Sequence, residues 1–158
     1  MNDRTHSVFD KEKGILMGRV GAGEDLLTGI KNELQKHGIT AGSVTCIGSL
    51  SQLSFVQFEY ENKTLSYSKP IEWDTPVELL SGNGVIGVRE DGELDIHFHG
   101  VFMDHKKSIS GGHFLEGGNI VAITVEFTVL ATSAIQTKKE FNHSLGFSFF
   151  NFYEREDG

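Results

Sequence analysis

The sequence predicts an α/β domain of the α+β type: a mainly antiparallel, mixed β-sheet with one principal helix. Three observations carry this. A single stretch, from Glu24 to Gly38, has the three- and four-residue apolar spacing of a helix, while most other apolar residues alternate with the period of two that marks a strand. Asp91-Gly92 lies between two such alternating runs and is a strong hairpin signal, so those runs are antiparallel neighbours. A chain of 158 residues is the length of one domain with a sizeable core. The expected organisation is a flexible N-terminal segment over 1–13, a single domain over 14–153 and a flexible C-terminus over 154–158.

Taken in order, Ile15 to Val20 reads as a first strand, broken by Gly21-Ala22-Gly23. In the helix that follows, Leu27, Ile30 and Leu34 share one face, Glu24 and Asp25 suit the positive end of the helix dipole, and Gly38 is the stop signal. Glu24 and Asp25 are also oxygen donors that a cation accepts, but capping accounts for both. Ser43 to Gly48 and Leu53 to Glu61 read as strands, with a turn at Asn62-Lys63. Leu65 to Ser68 and Val77 to Ser81 continue the β pattern, and Pro70, Trp73 and Pro76 between them belong to an edge or an irregular crossing. Gly82-Asn83-Gly84 predicts a bulge or kink before the strand Val85 to Arg89. Ile120 to Leu130 alternates again, and its Glu126 is either a hydrogen-bond partner for a histidine or an exposed strand residue, the second being favoured. The terminal run Phe147 to Tyr153 is aromatic on both faces and needs cover, by another subunit or within the sheet.

The run from Leu94 to Phe102 carries the chemistry. Leu94, Ile96, Phe98 and Phe102 point one way, and Asp95, His97 and His99 the other. Imidazoles two apart on one strand face lie within reach of a common ion, and neutral imidazole is a ligand for zinc, nickel, copper and iron alike. His113 ends a glycine-rich loop, Gly111-Gly112-His113, within a long connection from Asp104 to Asn119. Two strand ligands and one from a loop make a set of three histidines that leaves a coordination position for water or substrate. The plainer alternative is a solvated strand face with two histidines on it and a third in a flexible loop. Asp104 and His105, just past the histidine strand, are the nearest candidates for proton transfer. The catalytic residues are otherwise unknown from sequence.

Composition excludes several classes. The single cysteine, Cys46, rules out an intrachain disulfide and a cysteine-based zinc site; within Val44-Thr45-Cys46-Ile47 it reads as a small buried hydrophobe. The polar start lacks the apolar core of a signal peptide and no stretch has the length of a membrane span, so the expectation is a soluble, cytoplasmic protein without a membrane partner. With a formal charge of −8 and fourteen Lys and Arg dispersed apart from the doublets Lys106-Lys107 and Lys138-Lys139, the chain lacks the basic face that phosphate neutralisation requires. No P-loop or GxGxxG fingerprint is present, so no organic cofactor is expected.

Five motifs occur in a fixed order: Gly23-Glu24-Asp25-Leu26, Ile47-Gly48-Ser49, Glu78-Leu79-Leu80-Ser81-Gly82, His97-Phe98-His99, and Gly111-Gly112-His113-Phe114-Leu115-Glu116-Gly117. From Ile15 to Leu130 the chain thereby resembles the PPC domain, the "plants and prokaryotes conserved" family, in its stand-alone prokaryotic form, which often carries a DNA-binding label. The resemblance implies an α/β fold with a mainly antiparallel sheet and one helix, assembled as a homotrimer. It also implies a metal site on His97, His99 and His113; for a divalent ion there, zinc is the first choice because three histidines suit it. The chain departs from the plant members in having no Arg-Gly-Arg-Pro AT-hook and in having Pro76-Val77 where they carry Arg-Phe. Three functions follow as expectations: a metal-binding trimer with a small-molecule or catalytic role, a DNA-binding regulator, and a protein-interaction module.

Overall fold

The hairpin expected at Asp91-Gly92 lies at the centre of the sheet. The structure, a computed structural model, describes residues 4–155. In chain order its elements are β1 (His6–Asp10), β2 (Ile15–Gly21), α1 (Leu26–His37), β3 (Gly42–Leu50), β4 (Leu53–Val56), β5 (Phe58–Glu61), β6 (Thr64–Tyr67) and β7 (Ile71–Trp73). They continue with β8 (Val77–Val88), β9 (Leu94–Asp104), β10 (Ile109–Phe114), β11 (Val121–Ala131), β12 (Ile135–Asn142) and β13 (Phe147–Glu154). One eleven-stranded sheet runs β1-β2-β11-β3-β8-β9-β10-β4-β7, with the β12–β13 hairpin joined to it through Lys138 and Val88. The β5–β6 hairpin forms a separate two-stranded sheet. Every pairing is antiparallel except β12 with β8, so the mixed, mainly antiparallel expectation holds.

Helix α1 forms where its apolar period lies, because each end has a cap. The Asp25 side chain accepts from Thr28 N at 2.9 Å, and Gly38 takes the left-handed conformation at φ 69° while its N–H reaches the Leu34 and Gln35 carbonyls. Leu26, Leu27, Ile30 and Leu34 then face the sheet. They close over Leu16, Val20, Ile86, Ile96, Phe98, Val125 and Val129 from the strands, all buried. Phe55, Phe98, Phe102 and Phe114 extend this core toward the other edge, with Phe55 edge-on to Phe102 at 5.5 Å and Phe98 tilted on Phe114 at 5.5 Å. The helix covers one face of the sheet, and the opposite face carries the exposed side chains Met17, Ile47 and Val101.

The structure corrects several local expectations. Within the segment expected to be flexible over 1–13, His6–Asp10 pairs along its whole length with β2, and the Phe9 ring is tilted against His37 with centroids 5.7 Å apart. An edge strand needs one partner only, so a short run with a single good apolar anchor suffices. At the other end Glu154 completes β13 and Arg155 N donates to Ala134 O at 2.9 Å. Residues 1–3 and 156–158 lie outside the described residues, as does the flexibility expected of them. Leu53 to Glu61 is two strands, β4 and β5, divided at Gln57. The bulge expected at Gly82-Asn83-Gly84 lies instead at Leu80, between the pairs Leu79–Phe102 and Ser81–Val101. Gly82 is in regular register, and its role is close approach: a Cβ there would stand 2.4 Å from Phe98 Cζ and 2.7 Å from Cys46 Sγ. Strand β12 was not anticipated, because Ile135 to Asn142 has too few apolar residues to show an alternation.

Candidate metal centre

Strand β9 is paired on both sides, with β8 and β10, and this positions the histidines. Its even residues enter the core, so His97 and His99 are turned to the exposed face beside Asp95. His113 is not in a loop as expected. It lies in β10, directly opposite His99, while Asn83 of β8 is opposite His99 on the other side. Residues paired across a sheet share a face. The glycines before His113 make this pairing close: a Cβ on Gly111 would stand 2.3 Å from Gly100 O, and one on Gly112 would stand 2.6 Å from Val56 O. The glycine-rich stretch is thus a strand squeezed between β9 and β4, and the long connection from Asp104 to Asn119 contains it as β10.

The three imidazoles converge. One ring nitrogen of each lies within 4.8 Å of the others, and ring centroids are 5.0 Å apart for His97–His99, 5.0 Å for His97–His113 and 5.3 Å for His99–His113. His97 Nε2 and His99 Nε2 are 3.1 Å apart, close to the edge of about 3.3 Å expected of two nitrogens on a tetrahedral zinc with bonds of about 2.0–2.1 Å. His113 Nδ1 is buried with no hydrogen-bond partner. A buried polar atom left unsatisfied is costly, and an ion is one way to satisfy it. Burial, reinforced by the neighbouring His97 and His99, pushes the His113 imidazole down to about 4, and partial burial followed by His99 also lowers His97. Both rings are therefore held in the neutral form that can donate a lone pair.

Around this cluster stand residues that sequence reading missed. The Tyr67 ring is 5.6 Å from His113, is crossed by Phe58 at 5.9 Å and meets Phe147 at 90° and 5.9 Å. The β5–β6 and β12–β13 hairpins thus flank the histidines from two sides. One cavity of about 380 Å³ lies over His97, His99, Gly111 and Gly112; another of about 370 Å³ runs from His97 and His113 to Lys139 and the rings of Phe147 and Phe150. Lys139 Nζ bonds Asp95 Oδ2 at 2.6 Å. Asp95 was legible as a residue of the histidine face; Lys139 and Tyr67 come from distant segments and left no signal at short spacing.

Other residues singled out from sequence are elsewhere. Asp104 is buried and its Oδ1 accepts from Lys106 N and Ser108 N, both at 2.8 Å, so it caps the turn between β9 and β10; His105 is exposed in that turn. Glu126 is on β11, separated from β9 by β3 and β8, and is an exposed strand residue. Glu24 is exposed, and Asp25 caps the helix and also accepts from Asn119 N at 2.8 Å. Cys46 is buried, and burial pushes its thiol up to about 12, which leaves it inert.

Residues 9–133 match the model of the Plants and Prokaryotes Conserved (PCC) domain. The chain belongs to this family. It is the one resembled at the sequence level, and the match extends beyond the five motifs at both ends. No curated protein sequence matches the chain. Solved structures superpose on nearly all of it. A candidate DNA-binding protein from Bacteroides thetaiotaomicron aligns with a TM-score of 0.77 at 20% identity, over 92% of this chain and 97% of its own. A metal-containing protein from Archaeoglobus fulgidus aligns with 0.75 at 24% identity, over 92% and 99%. A plant- and prokaryote-conserved protein from Pyrococcus horikoshii aligns with 0.73 at 24% identity, over 96% of each chain. At such identities the likeness is one of fold. Among the described residues, no helix of this PPC protein is long and apolar enough to cross a membrane.

Proposed function

We propose that the protein binds a divalent metal ion, with zinc as first choice, through His97, His99 and His113, and that it does so as a homotrimer with a small-molecule or catalytic role. The observation that carries the reading is the convergence of three imidazole nitrogens within 4.8 Å, one of the rings having a buried nitrogen without a partner. That a similar fold belongs to a metal-containing protein supports it. Three neutral nitrogens leave a fourth position open, and an ion held there supplies Lewis-acid charge and lowers the pKa of a water it binds. The chain's own residues orient and enclose: β9 and β10 hold the rings, and the Tyr67 and Phe147 rings limit water on the cavity side. Zinc is preferred because three histidines suit it, although nickel, copper and iron take the same ligands. Elemental analysis of the purified protein should find about one metal per chain, and the double variant His97→Ala, His99→Ala should carry none. Undiminished metal in that variant would defeat the assignment.

The trimer rests on the family resemblance and on the exposed apolar side chains of the uncovered sheet face, among them Met17, Ile47 and Val101, with Phe152 on the terminal hairpin. Light scattering over a dilution series should report about three chains; a monomer at every concentration contradicts it. A second reading, DNA binding, is favoured by the description of a similarly folded protein. Charge opposes it, since the chain carries −8. Fluorescence anisotropy with mixed and A·T-rich duplexes at about 150 mM salt, where the screening length is about 8 Å, should show weak binding at most. Submicromolar binding there would replace the metal-first reading.

A further inference from the structure

The cavity of about 370 Å³ beside the imidazoles has a definite chemical character. Its walls are the rings of Phe58, Tyr67, Phe147 and Phe150, its inner end is His97 and His113, and Lys139 is the one charged side chain among its lining residues. The rings are packed edge to face: Tyr67 meets Phe147 at 90° and Phe58 at 74°, both with centroids 5.9 Å apart, so together they form an aromatic wall of the cavity. Lys139 has an ion-pair partner in Asp95 at 2.6 Å. Asp95 lines a separate and smaller cavity of about 100 Å³ with Lys31 and Glu116, and Lys139 and His113 border both that cavity and the aromatic one. The pair therefore holds the ammonium in place from one side, and an ammonium has three donors, of which this bond uses one.

We propose that this cavity binds a small aromatic anion, an arene carboxylate, with its ring among Phe58, Tyr67 and Phe147 and its carboxylate on Lys139 beside the histidines. The volume lies in the range of sites for small molecules. Aromatic walls take flat rings edge-on or offset. They also attract cations, but Lys139 among the lining residues repels a cation and favours an anion. The inference deepens the small-molecule reading of the same site and names its substrate class.

The test uses the full-length protein, stripped of metal by chelation and again after zinc is added, and calorimetric titration with 2-naphthoate and its neutral isostere 2-naphthamide. The expected result is saturable naphthoate binding at least about tenfold tighter than naphthamide, as one charge-assisted hydrogen bond implies. Lys139→Met should remove that preference and leave naphthamide affinity within about twofold, which also shows that the cavity is intact. Lys139→Arg should restore the preference, and Phe147→Ala should weaken both ligands. Equal affinity for the two compounds, a preference that survives Lys139→Met, or no naphthoate binding by the folded protein overturns the proposal. So does a Phe147→Ala variant that drops to a smaller assembly in light scattering, because a second copy of the chain then covers the cavity. Metal content, measured separately, keeps the two readings apart. Naphthoate binding by a protein that takes up no metal leaves this inference standing while the metal assignment fails, and metal without naphthoate does the reverse.

Discussion

The two faces of β9 obey different rules. On one face Ile96, Phe98 and Phe102 are buried against helix α1 and the neighbouring strands, and even the backbone of β8 is shaped to them, since Gly82 has no room for a Cβ beside the Phe98 ring. On the other face His97 and His99 are exposed, Asp95 is tied to Lys139, and three imidazoles are gathered where one of them has a nitrogen with no partner. The inner face satisfies packing, which tolerates few changes of volume; the outer face leaves bonding capacity unused, which is how a binding site differs from a core. One strand can do both because its side chains alternate, so the chemistry on one side need not disturb the packing on the other.

This contrast can be broken or sharpened by experiment. The largest effect is expected from Phe98→Ala, which removes a fully buried ring and should cost about 3–5 kcal/mol in urea unfolding. A loss below about 1 kcal/mol would mean that the inner face is not the tightly packed one. Next in size is the metal itself: zinc at a hundred times its dissociation constant should stabilise the native chain by about 2.7 kcal/mol, whereas the His97→Ala, His99→Ala variant should gain nothing. Without metal, that variant should unfold within about 0.5 kcal/mol of the native chain, as exposed positions do. Asp25→Ala, remote from both faces, should cost about 1–2 kcal/mol because it takes a helix cap and the bond to Asn119 N together.

The smallest effect is a pH slope of the metal-free protein. In the folded chain His113 is pushed down to about 4 and His97 is also lowered, while in the unfolded chain each takes up a proton near the usual 6.5. The unfolded state therefore binds more protons between those limits. The stability this provides is fully present above about pH 6.5 and is lost as the pH falls toward 4. Denaturation midpoints at pH 7 and pH 5 measure it, and His113→Gln should flatten the difference. A midpoint that rises on acidification would show that the folded chain holds these rings protonated.

How much of this was legible depends on how local the signal is. His97 and His99 were found because a two-residue spacing on a strand puts both side chains on one face by geometry alone. His113 was found as a member of the set but misplaced in a loop, since consecutive glycines signal a turn unless a neighbouring backbone occupies the space their Cβ atoms would need. The bulge at Leu80 was misplaced onto Gly82 for the same reason. β1 and β12 were missed because each is short on apolar residues and is held mostly by backbone bonds to a partner strand. Tyr67 and Lys139 could not have been found: Tyr67 precedes the histidine strand and Lys139 follows it, each reaching the site by the path of a different hairpin.

From its own pattern the sequence determined the helix and its caps, the central hairpin, the inward face of β9 and the pairing of His97 with His99. These depend on periods of two and of three to four residues and on the backbone preferences of glycine and aspartate, which act within a few positions. Only the tertiary structure decided that His113 lies across from His99, that the uncovered sheet face carries Met17 and Ile47, and that Tyr67, Phe147 and Lys139 close around the imidazoles. Those are contacts between strands brought together by sheet order, and the register that joins one strand to another is set by the packing of the whole sheet rather than by either strand alone.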